Sequence, residues 1–219
     1  MEQMPGVLEE LRAAGGGVEF HFVHIYNGSG PYRDLPIATR LALLEFFAEI
    51  AVSHDIRFLV QSIDASASAH VLAAAKSLPK TPGLLDPTSN KDVSRMFLLV
   101  KLRNYLLKQL SPGESAPVFL DEGWKKNGRA LLVPMWHPPF FRGLVMSADS
   151  RDIWGLQFAD FAAFVLNRSQ ILLDRDPLSS LDVALLSIAS RIAPLFVDGV
   201  TVKPMELEDV PPEETGQTT

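Results

Sequence analysis

The sequence predicts an α/β protein, a sheet with helices packed against it. Strand-length apolar runs alternate with longer stretches of helical periodicity, the pattern of strand–helix–strand units. The run Ile56-Arg57-Phe58-Leu59-Val60-Gln61-Ser62-Ile63 reads as largely buried, as in a sheet covered by helices. Two shorter runs, 118–120 and 144–146, lead into Asp121 and Asp149, so acids are expected at or near strand ends.

Taken in order, residues 4–14 read as a short helix that stops at Gly15-Gly16-Gly17. Residues 18–23 alternate with period two, which predicts a strand with Glu19 and His21 on one face and Val18, Phe20 and Phe22 on the other. Tyr26-Asn27-Gly28-Ser29-Gly30-Pro31 follows as a loop. From Pro36 to Val52 a helical stripe runs through Ile37, Leu41, Leu44, Phe47 and Ile50, with proline at the permissive first turn. Helices are also expected over 65–76, over 89–110 with basic decoration, over 154–173 and over 178–196. Residues 79–87, rich in Pro, Gly and Thr, form a surface loop. At least two neighbouring strands should be parallel, and no internal repeat is present. The expected organisation is an N-terminal helix and linker over 1–17, one α/β domain over 18–197, and an acidic, largely disordered tail over 198–219.

A chain of 219 residues, 47% hydrophobic, is long enough to bury one sizeable core. Its first thirty residues lack a basic region followed by an apolar one, and no apolar stretch approaches a membrane span. A cytoplasmic protein with no membrane partner is therefore expected. The absence of cysteine excludes disulfides, thiolate zinc sites, iron–sulfur clusters and a cysteine nucleophile. Any metal must be held by oxygen or imidazole. The net charge of −6 is uneven: from Asp198 onward six acids face one lysine, leaving the body near neutral. Between Lys91 and Arg129, eight basic residues face four acids, and Lys125, Lys126 and Arg129 are candidates to hold a nucleic-acid backbone. A solvated basic turn is the alternative.

Asp160 is the lone carboxylate in Gly155-Leu156-Gln157-Phe158-Ala159-Asp160-Phe161-Ala162-Ala163-Phe164-Val165-Leu166, where burial would oblige it to find a cation, a metal or a proton. Asp121 closes an apolar run and sits where open α/β sheets gather ligands, beyond the carboxyl end of a strand. Gln157 and Asp160, three residues apart on a helix, can face that strand end together. Glu19 or Asp149 would complete a set of oxygen ligands for Mg²⁺ or Mn²⁺, ions that activate water and stabilise a phosphodiester under attack. The alternative is structural: Asp121 as a helix cap and Asp160 paired with Arg151 or Arg168.

His21 beside Glu19 is a candidate ligand or general base, with a structural hydrogen-bonding residue as its alternative; His21 and His24 would lie on opposite faces of a strand and make no zinc pair. Gly28-Ser29-Gly30 lacks the third glycine and Lys-Ser/Thr ending of a phosphate-binding loop and reads as a plain turn. Ser62, Ser147 and Ser150 have no Gly-x-Ser-x-Gly frame. Trp136, Phe140 and Phe141, interleaved with His137 and prolines, form either a base-stacking cluster or a packed loop.

Asp121-Glu122-Gly123 with Lys126-Asn127-Gly128, then Asp149-Ser150-Arg151 and Gly155-Leu156-Gln157-Phe158-Ala159-Asp160-Phe161-Ala162-Ala163, resembles the bacterial family called domain of unknown function 3800. Glu19-Phe20-His21-Phe22 and Tyr26-Asn27-Gly28-Ser29-Gly30 extend the resemblance, which covers roughly residues 18–170. It implies a ribonuclease H-like mixed sheet flanked by helices and a carboxylate metal site at Asp121 and Asp160, with Glu19, His21, Asp149 and Gln157 as further members. That family usually opens with a strand carrying Asp-Glu-Ser-Gly, and no such motif stands near Met1, so the expectation is either a chain truncated at its amino end or a protein that has lost the strand. Two functions follow as expectations. One is a Mg²⁺- or Mn²⁺-dependent nuclease or phosphodiesterase. The other is a catalytically degenerate interaction protein that forms a homo-oligomer or binds a partner through its sheet edge.

Overall fold

The computed structural model describes residues 19–61, 73, 88–121, 130–132 and 139–197. Among them are five α-helices: α1 Phe22–Asn27, α2 Ile37–Ser53, α3 Asn90–Gln109, α4 Trp154–Leu172 and α5 Ser180–Ile192. Three strands, β1 Ala116–Asp121, β2 Ala130–Leu132 and β3 Phe140–Ala148, complete a mixed α/β architecture, with 3₁₀ turns at Gly30–Tyr32 and Ala193–Leu195. The chain forms two compact units, each assembled from separated stretches: Met1–His21 with Phe58–Phe161, and Phe22–Arg57 with Ala162–Thr219. The helix expected over 4–14, the loop over 79–87, Trp136, His137 and the acidic tail lie outside the described residues. So does the helix expected over 65–76, except for Ala73, which is helical.

In the first unit the strands order β1-β3-β2. β1 and β3 run parallel, with Val118 opposite Val145 and Asp121 opposite Ala148, which realises the neighbouring parallel pair read from the sequence. β2 pairs antiparallel with the far side of β3. One face of this sheet is covered by α3: Leu99 packs with Val118, Phe140 and Val145, and Leu102, Leu106 and Leu120 extend the cluster. α3 starts where Ser89 accepts a hydrogen bond from the Asp92 amide, a side-chain cap for an otherwise unpaired donor.

Among the described residues, two expected strands, over 56–63 and over 18–23, are not formed. Over 56–61 only Phe58 makes a β-type bridge and only Phe58 is buried, so the run is not the covered central strand its composition suggested. The Val60 carbonyl is instead satisfied by the Lys101 ammonium at 2.6 Å. Over 18–23 the expected strand gives way at Phe22 to α1, whose Phe22, Ile25 and Tyr26 are all buried. These lie at i, i+3 and i+4, one helical face. A six-residue alternation carries little weight against that longer-range packing.

In the second unit, the Phe22 ring meets Phe47 edge-on at 4.8 Å between centroids. α2 buries Leu44, Phe47, Ala48, Ile50 and Ala51 and packs against α5, which buries Leu185, Leu186, Ile188, Ala189 and Ile192. α5 opens with a capping box in which Ser179 and Asp182 each bind the other's backbone amide. The expected α2 stripe holds at Leu44, Phe47 and Ile50 but not at Ile37, which is exposed, and Arg40 is buried in the preceding turns.

Arg40 explains the glycine loop. Its Nη1 donates to the Ile25 and Tyr26 carbonyls at 3.0 and 2.6 Å, in the last turn of α1, where carbonyls lose their intrahelical donors. The Ser29 amide bonds back to the His24 carbonyl and the Gly28 amide to that of Ile25, a Schellman closure with Gly28 in the left-handed conformation. A Cβ on Gly28 would stand 2.9 Å from the Arg40 guanidinium, whereas one on Gly30, at nearly the same φ, would find nothing nearer than 3.8 Å. The loop is a helix stop built over a buried arginine. Gly30→Ala should therefore cost about 1 kcal/mol for its backbone conformation alone. Gly28→Ala should cost more, about 2–3 kcal/mol, because the arginine must also shift. Urea unfolding of the two variants measures the difference directly.

Candidate functional site

Because β1 and β3 are parallel and in register to their ends, Asp121 and the residues after Ala148 emerge at the same edge of the sheet. β3 turns at Asp149-Ser150-Arg151, where the Asp149 carbonyl accepts from the Asp152 and Ile153 amides at 3.0 and 3.2 Å and leads into α4. The Asp149 carboxylate accepts from the Arg151 amide at 2.8 Å, from Arg151 Nε at 2.9 Å to each oxygen, and from Nη2. These bonds hold its pKa below the usual carboxylate range, Arg151 being the main cause. Both oxygens of Asp149, a candidate metal ligand from sequence, thus accept from Arg151 and hold the turn.

Ser150, next in sequence, is buried and links two elements. Its Oγ donates to Glu19 Oε1 at 2.5 Å, and its carbonyl accepts from Gln157 Nε2 at 3.1 Å. The other Glu19 oxygen lies 3.7 Å from His21 Nε2, so Glu19 and His21 are neighbours without belonging to a strand. Gln157 is 4% exposed, and its Oε1 has no hydrogen-bond partner, an unusual state for a buried acceptor.

Asp160 departs from its sequence reading. Along α4 the residues Gln157, Phe158, Phe161, Ala162 and Val165 are buried, while Ala159, Asp160 and Ala163 are exposed. Small residues tolerate exposure, so the segment that looked apolar on every side has a wet face, and Asp160 is on it. Its carboxyl pKa is nevertheless raised, first by desolvation and then by the negative charges of Glu19 and Asp121, with His21 partly offsetting them. Surface contact and surrounding protein mass differ here as they do for a group in a recess: solvent touches one side, and protein crowds the others. For ionisation the surrounding mass is decisive.

The two arginines considered as partners for Asp160 are engaged elsewhere. Arg151 binds Asp149, and the Arg168 guanidinium lies over the Tyr26 ring, 4.8 Å from its centroid. The charges that bear on Asp160 belong to Glu19, Asp121 and His21, all residues singled out from sequence. Ser150 was passed over as a site residue. Its signal was its position, immediately after an acid at the end of a strand.

The donor set, three carboxylates, a neutral amide oxygen and one imidazole, suits a hard divalent cation. Among the described residues no three carboxylate or imidazole groups stand close enough to form a ready cage. Mg²⁺ keeps several of its waters and needs few protein ligands, so the set would hold it through one or two carboxylates. Lys125, Lys126 and Arg129 lie outside the described residues, and no described helix is long and apolar enough to cross a membrane. No protein-family model matches the chain, no curated protein is significantly similar to it, and no solved structure matches it.

The raised Asp160 pKa carries a sign. Below the unfolded-state value, about 3.9, the carboxyl is neutral in both states; as pH rises through the folded-state value, ionisation comes to cost stability. Asp160→Asn should therefore raise the melting temperature at pH 7, with the gain shrinking to nothing in acid. Thermal melts across a pH series check this, and a loss of stability at pH 7 would contradict it.

Proposed function

We propose that this chain is a ribonuclease H-like, metal-dependent phosphodiesterase acting on nucleic acid, in keeping with its resemblance to the domain of unknown function 3800. The observation that carries the reading is the crowding of Asp160 by the charges of Asp121 and Glu19 at the carboxyl edge of a parallel strand pair. Acids held where they repel one another lower stability, and such crowding is typical of sites that neutralise it with a cation or use it for proton transfer. Asp121, Asp160 and Glu19 would hold Mg²⁺ or Mn²⁺. Bound there, the ion would polarise a phosphoryl oxygen and lower the pKa of a water. Ser150 fixes the Glu19 carboxylate by donating to one oxygen. His21, whose ring is half exposed beside Glu19, is placed to exchange protons with substrate or water. Gln157 Oε1 supplies an acceptor that orients a water.

The test is Mn²⁺ titration by calorimetry together with metal-dependent cleavage of a panel of single- and double-stranded DNA and RNA. Asp121→Asn and Asp160→Asn should each lower cleavage by on the order of 100-fold or more. Undiminished cleavage by both purified variants, or a wild-type protein that binds no Mn²⁺, would overturn the reading.

A second reading, a non-catalytic partner-binding protein, rests on the sheet itself. Among the described residues β1 pairs only with β3, which would leave its second edge for a partner strand. Pro117 removes one donor from β1, a common way of blunting an edge. Light scattering over a dilution series should then show a dimer that dissociates. A monomer at every concentration removes the homodimer form of this reading.

A further inference from the structure

The far end of β3 carries a feature that the acid site does not use. Phe140 pairs with Ala116, and the next registered pair is Val145 with Val118. β1 advances two residues while β3 advances five, so three extra residues, 141–143, leave the ladder. Phe140, on one side of this bulge, is 1% exposed in the core under α3. Phe141, the next residue, is turned outward with 42% of its surface exposed. Arg142 places its guanidinium carbon 5.3 Å from the Phe141 ring centroid, within cation–π range.

The backbone adopts an unfavourable conformation to do this. Arg142 has φ +48° and Gly143 has φ +65°. The left-handed region is uncommon for a residue with a long side chain, and here it belongs to the residue whose guanidinium lies beside the exposed ring. Burying Phe141 would be the ordinary fate of a phenylalanine next to a core position. The bulge instead breaks the alternation and leaves both Phe141 and Arg142 exposed.

We propose that Phe141 and Arg142 form a stacking platform for an unpaired nucleobase, a subsite for single-stranded nucleic acid. An aromatic face with a cation beside it matches the two parts of a nucleotide, its π-face and its phosphate, and unpaired bases alone present that face. Along the sequence, Lys91 to Arg129 carries eight basic residues against four acids, an excess of positive charge in keeping with a polyanionic ligand. From Ala116, level with Phe140, to Asp121 is five residues of strand, roughly 17 Å at about 3.4 Å each. About five stacked nucleotides cover that span. The subsite rests on the proposed nucleic-acid substrate and specifies it as single-stranded, but it is measured without metal or cleavage.

The experiment is fluorescence anisotropy of a labelled oligothymidylate of roughly a dozen nucleotides in metal-free buffer at low salt, with the full chain. Phe141→Ala and Phe141→Leu should both weaken binding by about 5- to 100-fold, and Phe141→Trp should retain it. Leucine keeps apolar contact but has no ring, so loss in both variants separates stacking from generic hydrophobic contact and guards against misfolding of one of them. Wild-type affinity in Phe141→Ala or Phe141→Leu overturns the platform. So does a wild-type chain that binds no oligonucleotide, in which case Mn²⁺ titration still decides the acid site independently.

Discussion

The parallel register between β1 and β3 is the constraint on which the first unit depends. Five backbone pairings set Asp121 opposite Ala148, and a slip of one residue would turn every side chain of a strand to the other face. The same register aligns Val118 with Val145 for burial under Leu99 and brings both strands to an end at one edge. From that edge, Asp149 and Arg151 close the turn that starts α4, and α4 then carries Gln157 and Asp160. Core packing and site assembly are thus two consequences of one ladder. The Asp149–Arg151 pair is partly exposed and adds little stability as a salt bridge; its effect is geometric, because it also engages the Arg151 amide.

The second unit buries polar groups of a different kind. Asp182 is 1% exposed, yet it receives hydrogen bonds from Tyr26, from Ser179 and from the Ser179 amide, with Arg175 at 3.5 Å. Burial pushes its pKa up, but these donors outweigh that and leave it below the usual range. The Tyr26 hydroxyl is shifted up, by burial first and by Asp182 second. A carboxylate this well supplied with donors is a structural capping group. Asp160 differs: desolvation raises its pKa, and the charges of Glu19 and Asp121 add to that, with only His21 opposing them. That contrast separates a buried acid that stabilises its fold from an exposed acid under electrostatic pressure.

Long helices were legible in the sequence. α2, α3 and α4 follow from apolar spacing, and β1 and β3 from short apolar runs ending at or near acids. Short segments were not. Residues 18–23 fit period two as well as they fit one turn of helix, and only the packing of Phe22, Ile25 and Tyr26 decides between them. The candidate acids were legible as residue types at strand ends and on a helix, since Asp121 and Asp160 do share an electrostatic neighbourhood. Their states were not. Asp149 looked as available as Asp121, but the arginine two residues later takes both its oxygens. Asp160 looked buried because its neighbours are apolar, although the alanines beside it line an exposed face. Composition reports the character of a segment, whereas exposure depends on what lies opposite each face.

The interleaving of the units has a related cause. Each is assembled from stretches far apart in sequence, so no linker or compositional break marks a boundary along the chain. Within the first unit, local preferences are violated at both ends of β3. At its carboxyl end, acids crowd against like charge and a buried amide oxygen lacks a partner. At its amino end, an arginine takes a left-handed backbone conformation and a phenylalanine faces solvent. Between them, Val145 and Ser147 are buried, and the ladder with β1 is unbroken from Val118 onward. A regular strand with its irregularities confined to its two ends is how a fold retains costly features without losing its core, because the ordered middle supplies the stability the ends forgo. The two ends then differ in chemistry, one rich in carboxylates, the other aromatic and cationic. Under the proposed function, a single extended polyanion with unpaired bases would engage both ends.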